Sequence, residues 1–318
     1  MNLKTARRIL GGLRTHVPGM YRTESGGTGG TSSARYCYSV WLRHLRMAAS
    51  NRLNTDPKVI AELGPGDTIG IGLAALLTGA EKYYALDVVE YARTGRNLKI
   101  FDELVELFAA RAPIPDAEEF PRTRPMLDSY QFPHDVANKG RLTTALHKDR
   151  IRAVRNAVAN PGAERTANAE IRYFVPWDDA AVIRPRTVDM VYSQAVLEHV
   201  DDLPRTYAAL HAWLRPDGFM SHTIDFRCHG QAEQWNGHWA YSDATWKLIR
   251  GSRPFLLNRQ PRSTHIRLLQ EHGFKIVCEV PVKGPPGIHR SELAKPFRAL
   301  SDQDLHTSGT FIQAVRSS

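Results

Sequence analysis

One stretch restricts the fold of this chain more than any other: an apolar segment that runs directly into a glycine-rich turn. Residues 58–63 (KVIAEL) have the length and composition of a buried strand, and Gly64 and Gly66 follow at once. A helix is indicated after the turn, and residues 82–86 (KYYAL) predict a second strand that ends at Asp87. Because the order is strand, glycine turn, helix and strand, it predicts a βαβ unit with parallel strands.

Strand and helix signals alternate along most of the remaining chain, which predicts a Rossmann-like α/β fold. Residues 95–165 break the alternation, with helical patterns and six prolines between positions 113 and 161. We interpret this region as an inserted helical cap that rises over the carboxyl ends of the strands and covers a substrate. Further strands are predicted at residues 171–175, 188–192, 219–224, 274–280 and 310–315.

Residues 1–55 are predicted to form a helical N-terminal extension or lid on a main domain at residues 56–318. Its first helix, at residues 3–14, has apolar residues along one side and Lys and Arg on the other. We expect the apolar stripe to pack on the domain; the alternative is an interfacial helix that contacts an anionic membrane. The glycine-rich residues 25–33 that follow suit either a lid or a plain linker.

The composition limits the partners and the compartment. The chain has 318 residues, 42% hydrophobic and 24% charged, and its lack of a run of 18 apolar residues argues against a membrane span. Its formal net charge of +9 favours anionic partners: nucleic acid, a phosphorylated or nucleotide-linked substrate, or an anionic membrane surface. Cys37, Cys228 and Cys278 are widely spaced and form no pairing pattern, which indicates the reducing cytoplasm.

The glycine turn gives the first indication of a ligand. Glycines let the backbone approach a ligand closely, and the helix after the turn offers free N–H groups. Asp87 stands 21 residues after Gly66 at a strand tip, where a carboxylate accepts hydrogen bonds from a ribose diol. Dinucleotides and S-adenosylmethionine (SAM) both suit this arrangement. Glu62 and the Gly-x-Gly-x-x-x-Gly spacing favour SAM, because a carboxylate at the strand end suits a cationic amino-acid tail.

Taken together, four segments resemble the class I SAM-dependent methyltransferases, in particular the branch called type 11. They are residues 62–66 (ELGPG), Asp87, residues 196–200 (VLEHV) after the fourth strand and residues 214–218 (LRPDG) before the fifth. The resemblance implies a seven-stranded sheet in the order 3-2-1-4-5-7-6, with strand 7 antiparallel.

The resemblance also implies cofactor roles for individual residues. Asp87 would hold the ribose of SAM. Asp178 would meet the adenine amine beside Trp177, and Ser193 and Gln194 would line the methyl-donor end. The full set of implied cofactor-binding residues is Glu62, Gly64, Gly66, Asp87, Val88, Trp177, Asp178, Ser193 and Gln194.

The candidate catalytic residues follow the fifth strand. Residues 222–229 (HTIDFRCH) leave that strand at the carboxyl edge of the sheet, where ligands bind in open α/β folds. Asp225 and His229 could serve as orienter and base for a hydroxyl acceptor, or as metal ligands; we expect the former and no metal. His199 is a rival base, although the resemblance implies that its position shapes the loop and contacts the cofactor.

Aromatic residues after this segment bear on the acceptor. Trp235, Trp239, Tyr241 and Trp246 suit either a sugar platform or ordinary core. Residues 225–246 also resemble methyltransferases of sugar and polysaccharide assembly. We therefore expect methylation of a hydroxyl on a sugar or other small molecule, including nucleotide- or lipid-linked glycans.

Two alternatives remain open. A nucleic-acid methyltransferase is disfavoured because the chain lacks an Asn/Asp-Pro-Pro-Tyr/Phe motif after the fourth strand and a catalytic Pro-Cys pair. A non-catalytic SAM-fold binding protein is disfavoured because Gly64, Gly66 and Asp87 are intact.

Overall fold

A computed structural model describes residues 3–17, 30–161, 169–177 and 179–317. Its strands are β1 (Val59–Leu63), β2 (Lys82–Leu86), β3 (Glu170–Phe174), β4 (Val188–Gln194), β5 (Leu214–Asp225), β6 (Phe274–Lys283) and β7 (Thr307–Arg316). They form one sheet in the order β3-β2-β1-β4-β5-β7-β6. β1 to β5 pair in parallel, and β7 runs antiparallel to β5 and β6. The predicted fold class and strand order are confirmed.

Helices cover both faces of the sheet. They are α1 (Leu3–Arg14), α2 (Ala34–Ser50), α3 (Gly70–Leu76), α4 (Thr94–Ala110), α5 (Lys139–Ala145), α6 (Lys148–Ala159), α7 (Leu203–Trp213), α8 (Asp243–Arg250), α9 (Arg262–Glu271) and α10 (Asp302–His306). α2 to α6 bury apolar side chains on one face, together with Ile60 and Tyr192 of the sheet. α7 and α9 cover the other face, where Leu63 and Val191 lie. Because both faces are covered, the central strands are apolar on both sides.

α2 forms part of the core rather than a separable extension. The Ser33 side chain caps its first turn by accepting a hydrogen bond from the N–H of Tyr36. Tyr38, Trp41 and Leu45 of this helix are fully buried within the larger core. The predicted division at residue 55 therefore does not follow the packing, because α2 supplies one layer of the domain.

The insertion after β2 divides into a packed part and a covering part. α4 packs on α2 and α3, and α6 packs on α4 and β3, so these helices are scaffold and not the predicted cap. The residues between α4 and α5, which we call segment 111–138, reach the carboxyl ends of β4 and β5. There the carbonyl of Arg124 accepts hydrogen bonds from Gln194 Nε2 at 3.5 Å and Thr223 Oγ1 at 3.4 Å. Only this segment covers that end of the sheet in the manner expected of the insertion.

Three side chains of α2 bind main-chain carbonyls of segment 111–138, and two more, Arg35 and Arg46, pair with its carboxylates Glu119 and Asp135. The Tyr38 hydroxyl donates to the carbonyl of Ala112 at 2.6 Å. The buried guanidinium of Arg43 donates to the carbonyls of Pro115 at 2.9 Å and Pro125 at 2.6 Å. The third contact, from Ser39 Oγ, also reaches the Pro115 carbonyl, at 2.8 Å.

α1 packs against α8 through one edge of its apolar stripe. Ile9, at that edge, belongs to the small cluster around α8, and Gly12 is buried against α8. Leu3, Leu10 and Leu13 are 83%, 48% and 46% exposed, so the expectation that the stripe packs on the domain holds for Ile9 and is wrong for these three leucines. Across the described ranges, no helix has both the length and the apolar character needed to cross a membrane.

Candidate active site

The turn after β1 is shaped by two glycines with a left-handed backbone. Gly64 has φ 61° and Gly66 has φ 73°, a conformation that strains residues with a Cβ. A Cβ on Gly64 would also lie 2.7 Å from Cγ2 of Val196. The turn therefore requires glycine, and it brings the Gly66 N–H to 3.4 Å from Asp87 Oδ2.

Asp87 stands at the tip of β2 with its carboxylate facing this turn. It is buried, and its Oδ1 accepts a hydrogen bond from the N–H of Val88 at 2.8 Å. Burial raises the pKa of its carboxyl above the ordinary value, while the backbone hydrogen bonds oppose that rise. Val88 lies beside it with its side chain partly exposed. A strand-tip carboxylate next to an open glycine turn fits the ribose of SAM.

Glu62 lies beneath the turn and links three strands. Its Oε2 accepts hydrogen bonds from the hydroxyl of Tyr83 on β2 and, at 3.0 Å, from the hydroxyl of Tyr192 on β4. The side chain is buried, and burial raises the pKa of its carboxyl to about 7. Glu62 thus fixes the end of β1; its contact with the amino-acid tail of SAM stays a prediction.

The other predicted cofactor residues are spread along the same edge. The N–H of Trp177 donates to the carbonyl of Asp87 at 3.0 Å, which places Trp177 next to Asp87. Asp178 lies outside the described residues. Ser193 is fully buried with its hydroxyl 2.7 Å from His222 Nδ1, so its side chain is already engaged within the protein, and its place at the methyl-donor end stays a prediction. Gln194 keeps Oε1 buried and, within the described chain, without a hydrogen-bond partner, which suits a ligand group.

The described part of the glycine-rich segment lies against the glycine turn. Thr31 in the short helical turn Gly30–Ser32 is buried, and its Oγ1 accepts a hydrogen bond from the N–H of Thr68 at 3.3 Å. Residues 18–29, which include most of the predicted lid or linker, lie outside the described residues.

Asp225 and His229 meet at the carboxyl end of β5, as the sequence predicts for an orienter and base. His229 Nε2 lies 3.3 Å from Asp225 Oδ2. The Nε of Arg227 donates to both carboxylate oxygens of Asp225, at 2.8 and 2.9 Å. Although burial opposes it, hydrogen bonds from His229 and Arg227 hold the pKa of Asp225 well below its ordinary value. Asp225 is therefore a permanent carboxylate that orients the imidazole.

His199, the rival base, lies next to His229. The two ring centroids are 5.1 Å apart, and His199 Nδ1 lies 2.8 Å from the carbonyl oxygen of Phe255. Burial, followed by the proximity of His229, lowers the pKa of His199 to about 4. The imidazole of His199 is consequently neutral at neutral pH, with Nδ1 as its hydrogen-bond donor.

Glu198 completes a group that the sequence analysis did not assemble. Its carboxylate is buried, and burial raises its pKa well above the ordinary value. Glu198, His199 and His229 each offer one ligand atom, and these atoms lie within 4.8 Å of one another, so the three side chains could hold a metal ion. The available signal was the position of Glu198 in VLEHV, immediately before a candidate base.

Trp239 and Trp246, two of the aromatic residues after β5, form core and not a platform, whereas Trp235 and Tyr241 are only partly buried. Trp239 is fully buried in a cluster with Leu293 and Leu305, and its Nε1 donates to the carbonyl of Arg259 at 2.9 Å. Trp246 packs in a second cluster beneath α1. The alternative of ordinary core is therefore the one observed for these tryptophans.

A family model described as a methyltransferase domain matches residues 39–279. Because the match spans most of the chain, the protein belongs to this methyltransferase family. Its sheet order and its glycine turn are those predicted for the class I SAM-dependent enzymes. The protein is a class I methyltransferase with SAM as its cofactor.

Several solved structures are similar to this chain at low identity. A SAM-dependent methyltransferase from Mesorhizobium loti is 16% identical, over 84% of this chain and 96% of that chain, with a TM-score of 0.41. One from Methanosarcina mazei is 14% identical, over 85% and 96%, with a TM-score of 0.43. Phosphoethanolamine N-methyltransferase 2 from Haemonchus contortus, in complex with SAM, is 13% identical, over 87% and 53%, with a TM-score of 0.42. Likeness at this level says nothing about the acceptor.

No curated protein matches the sequence. The predicted resemblance to enzymes of sugar and polysaccharide assembly finds no support in these comparisons.

Proposed function

We propose that the protein transfers the methyl group of SAM to a hydroxyl oxygen of a polar small molecule, with sugars, free or nucleotide- or lipid-linked, as the acceptor class. The observation that carries the proposal is the Asp225–His229 pair at the carboxyl end of β5. An alcohol must lose its proton as the new C–O bond forms, and an oriented imidazole is suited to accept it.

The orientation of His229 defines its role. His229 Nε2 lies 3.3 Å from Asp225 Oδ2, and we place the proton of the neutral imidazole on this nitrogen. Nδ1 then carries the free lone pair and is the proposed acceptor of the hydroxyl proton. When bound, SAM would supply the electrophilic methyl group, and its sulfur would leave as a neutral thioether. Asp225 then stabilises the imidazolium, much as a triad carboxylate does. His229 is a third exposed, so an acceptor has access to it.

The immediate surroundings of the pair are polar. Glu198, Arg227, His238 and Asn258 line a cavity of about 10 Å³ beside Asp225, which has room for about one water molecule. His238 is buried and its Nδ1 has no hydrogen-bond partner within the described residues, which favours a ligand able to supply one.

The cysteines are unpaired in the structure, which supports our proposal that the protein works in the cytoplasm.

The test begins with an acceptor screen. Purified protein and methyl-labelled SAM are incubated with sugars, nucleotide sugars and lipid-linked sugars, and with amine and nucleic-acid acceptors as competing classes. The atom that carries the label is identified by NMR. Label on nitrogen, on carbon or on a nucleobase would contradict the proposal.

The variant His229→Ala then tests the base. Turnover of the identified acceptor should fall about 100-fold or more, with SAM affinity within twofold of wild type. His16→Ala, an exposed histidine next to α1, is the matched control and should keep full turnover. Full turnover in His229→Ala would remove His229 from the mechanism.

A further inference from the structure

Two imidazoles beside Asp225, those of His199 and His229, each offer a ligand atom to the group that they form with Glu198. His199 Nδ1 is engaged by the Phe255 carbonyl at 2.8 Å, and His229 Nε2 by the Asp225 carboxylate at 3.3 Å. Each ring is thereby held in one orientation with its other nitrogen available. Metal-binding histidines are commonly held in this way, with the second nitrogen donating to a carbonyl or a carboxylate.

Glu198 is the third donor and the most unusual of the three. Its side chain is only 3% exposed, and neither carboxylate oxygen has a hydrogen-bond partner among the residues that the structure describes. A buried carboxyl group without partners is costly, and native proteins generally satisfy such groups. Because its oxygen lies within 4.8 Å of the two imidazole donors, a cation held between them would satisfy it.

We propose that Glu198, His199 and His229 bind a divalent cation of the zinc type, and that this ion inhibits methyl transfer by occupying the nitrogen of His229 that receives the acceptor proton. Two imidazole nitrogens and one carboxylate oxygen are a ligand set that Zn²⁺ accepts, with a fourth position left for water. Donors around tetrahedral zinc lie about 3.4 Å apart, so donors that lie within 4.8 Å of one another must close by up to about 1.4 Å. The inhibitory half rests on the proposed function, whereas the binding half does not.

The ligand-binding half is tested by titrating metal-stripped protein with Zn²⁺ in a calorimeter and with Co²⁺ in a spectrophotometer. Wild type should bind one ion per chain, and Co²⁺ should show the visible bands of a four-coordinate site. Glu198→Gln keeps the shape of the side chain but should lower the Zn²⁺ affinity at least tenfold. Glu271→Gln, an exposed carboxylate on α9, is the matched control and should bind as wild type does.

Absence of saturable binding, or equal affinity in Glu198→Gln and wild type, would overturn the site. Circular dichroism checks that both variants are folded, and His199→Ala gives a second route if Glu198→Gln fails to fold. Stoichiometric Zn²⁺ should also abolish methylation of the identified acceptor, and a chelator should restore it. Zn²⁺ binding without loss of methyl transfer would overturn the proposed inhibition. Failure to methylate any hydroxyl would overturn the proposed function but would not affect the conclusion about metal binding.

A second inference comes from α1, far from this cluster in the chain. The helix attaches to α8 by a close backbone approach, since a Cβ on Gly12 would lie 1.9 Å from the carbonyl oxygen of Leu248. Thr15, just after the helix, accepts a hydrogen bond at Oγ1 from the N–H of Ser252 at 2.7 Å. These contacts fix which side of α1 faces the protein.

The fixed orientation turns an apolar stripe outward. Leu10 follows Leu3 by seven residues and precedes Leu13 by three, which places all three on one helix face. Their exposed fractions are 83% for Leu3, 48% for Leu10 and 46% for Leu13, and Val17 and Leu248 are similarly exposed. We call this exposed apolar surface the α1 stripe; it consists of Leu3, Leu10 and Leu13 of α1, Val17 just after it, and Leu248 of α8.

Basic residues flank the α1 stripe. Arg7 and Arg14 each stand four residues after a leucine of the stripe, and α1 contains no acidic residue. Within the described ranges neither arginine forms an ion pair. We infer that α1 docks the protein on an anionic lipid bilayer, with the leucines in the interface and the arginines at the headgroups.

Co-sedimentation of the full chain with phosphatidylcholine vesicles, with and without phosphatidylserine, tests this inference. Wild type should bind only the vesicles that contain phosphatidylserine. The double variant Leu10→Glu/Leu13→Glu should reduce partitioning at least tenfold, and Arg7→Glu several-fold. Met126→Glu, an equally exposed apolar residue outside α1, is the matched control and should bind as wild type does.

Equal partitioning of the double variant and wild type, or no binding to anionic vesicles, would overturn the membrane inference. Sedimentation velocity tests the alternative that a second copy of the chain, and not a bilayer, covers the α1 stripe. A dimer that dissociates in the double variant, without vesicle binding, would assign the α1 stripe to self-association and also overturn it.

Discussion

Replacing Asp87 tests the cofactor site at its most informative residue. In the proposed complex its carboxylate accepts hydrogen bonds from the ribose diol, while its contacts within the protein are a 2.8 Å bond from Val88 N–H and a long one of 3.4 Å from Gly66 N–H. A hydrogen bond to a charged group contributes about 1.5–3 kcal/mol net. The carboxylate is buried and has therefore already lost most of its water, so we assign to the ribose diol the energy of a single hydrogen bond. Asp87→Ala should then weaken SAM binding by about 1.4–3 kcal/mol, or 10- to 150-fold.

Isothermal titration calorimetry with SAM and with its demethylated product measures this loss. Asp87→Asn preserves the shape and should fall between wild type and Asp87→Ala. Glu90→Ala removes an exposed carboxylate three residues away and should leave affinity within twofold. Affinity within twofold of wild type in a folded Asp87→Ala protein would refute the ribose assignment. Binding of NAD in place of SAM would refute the cofactor.

Three other substitutions test the scaffold of the site. The pKa of the Glu62 carboxyl is about 7 in the folded protein against an ordinary 4.5, so its protonated form stabilises the fold. This contribution is full below about pH 4.5 and is lost as pH rises through 7. Glu62→Gln should therefore flatten the fall in Tm between about pH 5 and 8. Arg43→Met leaves the buried Pro125 carbonyl unpaired and should cost about 2–4 kcal/mol in urea denaturation, with faster hydrogen exchange in segment 111–138. Gly64→Ala should cost at least 1–2 kcal/mol by the same assay, roughly the left-handed backbone penalty before any clash. A pH profile of Tm parallel to that of wild type would contradict the argument for Glu62. A loss of unfolding free energy below about 0.5 kcal/mol would contradict the argument for Arg43 or Gly64.

Strands β1 and β2 were predictable because each is a short, largely apolar run bounded by turn residues. β2 begins and ends at the predicted residues 82 and 86. β5 begins five residues earlier than predicted, at Leu214, because Leu214 pairs with Val188 before residues 215–218 loop out and pairing resumes at Phe219. A bulge of this kind depends on the neighbouring strand, which the local sequence does not contain.

Helix boundaries were less predictable than strand positions. The predicted helix at residues 142–159 is divided into α5 and α6, because the His147 side chain caps a new helix by accepting from the N–H of Asp149. Apolar spacing continues across both helices, so periodicity alone joins them. The amphipathic pattern of α1 likewise identifies its apolar stripe but not its orientation, which is set by the contact of Gly12 with α8.

The candidate catalytic pair was predictable, whereas its surroundings were not. Asp225 and His229 are four residues apart at a strand end, close enough in sequence to meet. Glu198 comes from the loop after β4, and only the adjacency of β4 and β5 brings it to His229. The burial that leaves its carboxylate without partners is a property of the packed molecule, and no local pattern encodes it.

The way α2 holds segment 111–138 has a consequence for acceptor evolution. The segment contacts the ends of β4 and β5 through its own backbone and is held through the carbonyls of Ala112, Pro115 and Pro125. Main-chain carbonyls are present whatever the side chains are, so these contacts survive changes of sequence in the segment, whereas the ion pairs of Arg35 with Glu119 and of Arg46 with Asp135 do not. Relatives with different acceptors should therefore diverge most between α4 and α5. Chimeras that exchange this segment offer a direct route to redirecting the enzyme while its cofactor site is retained.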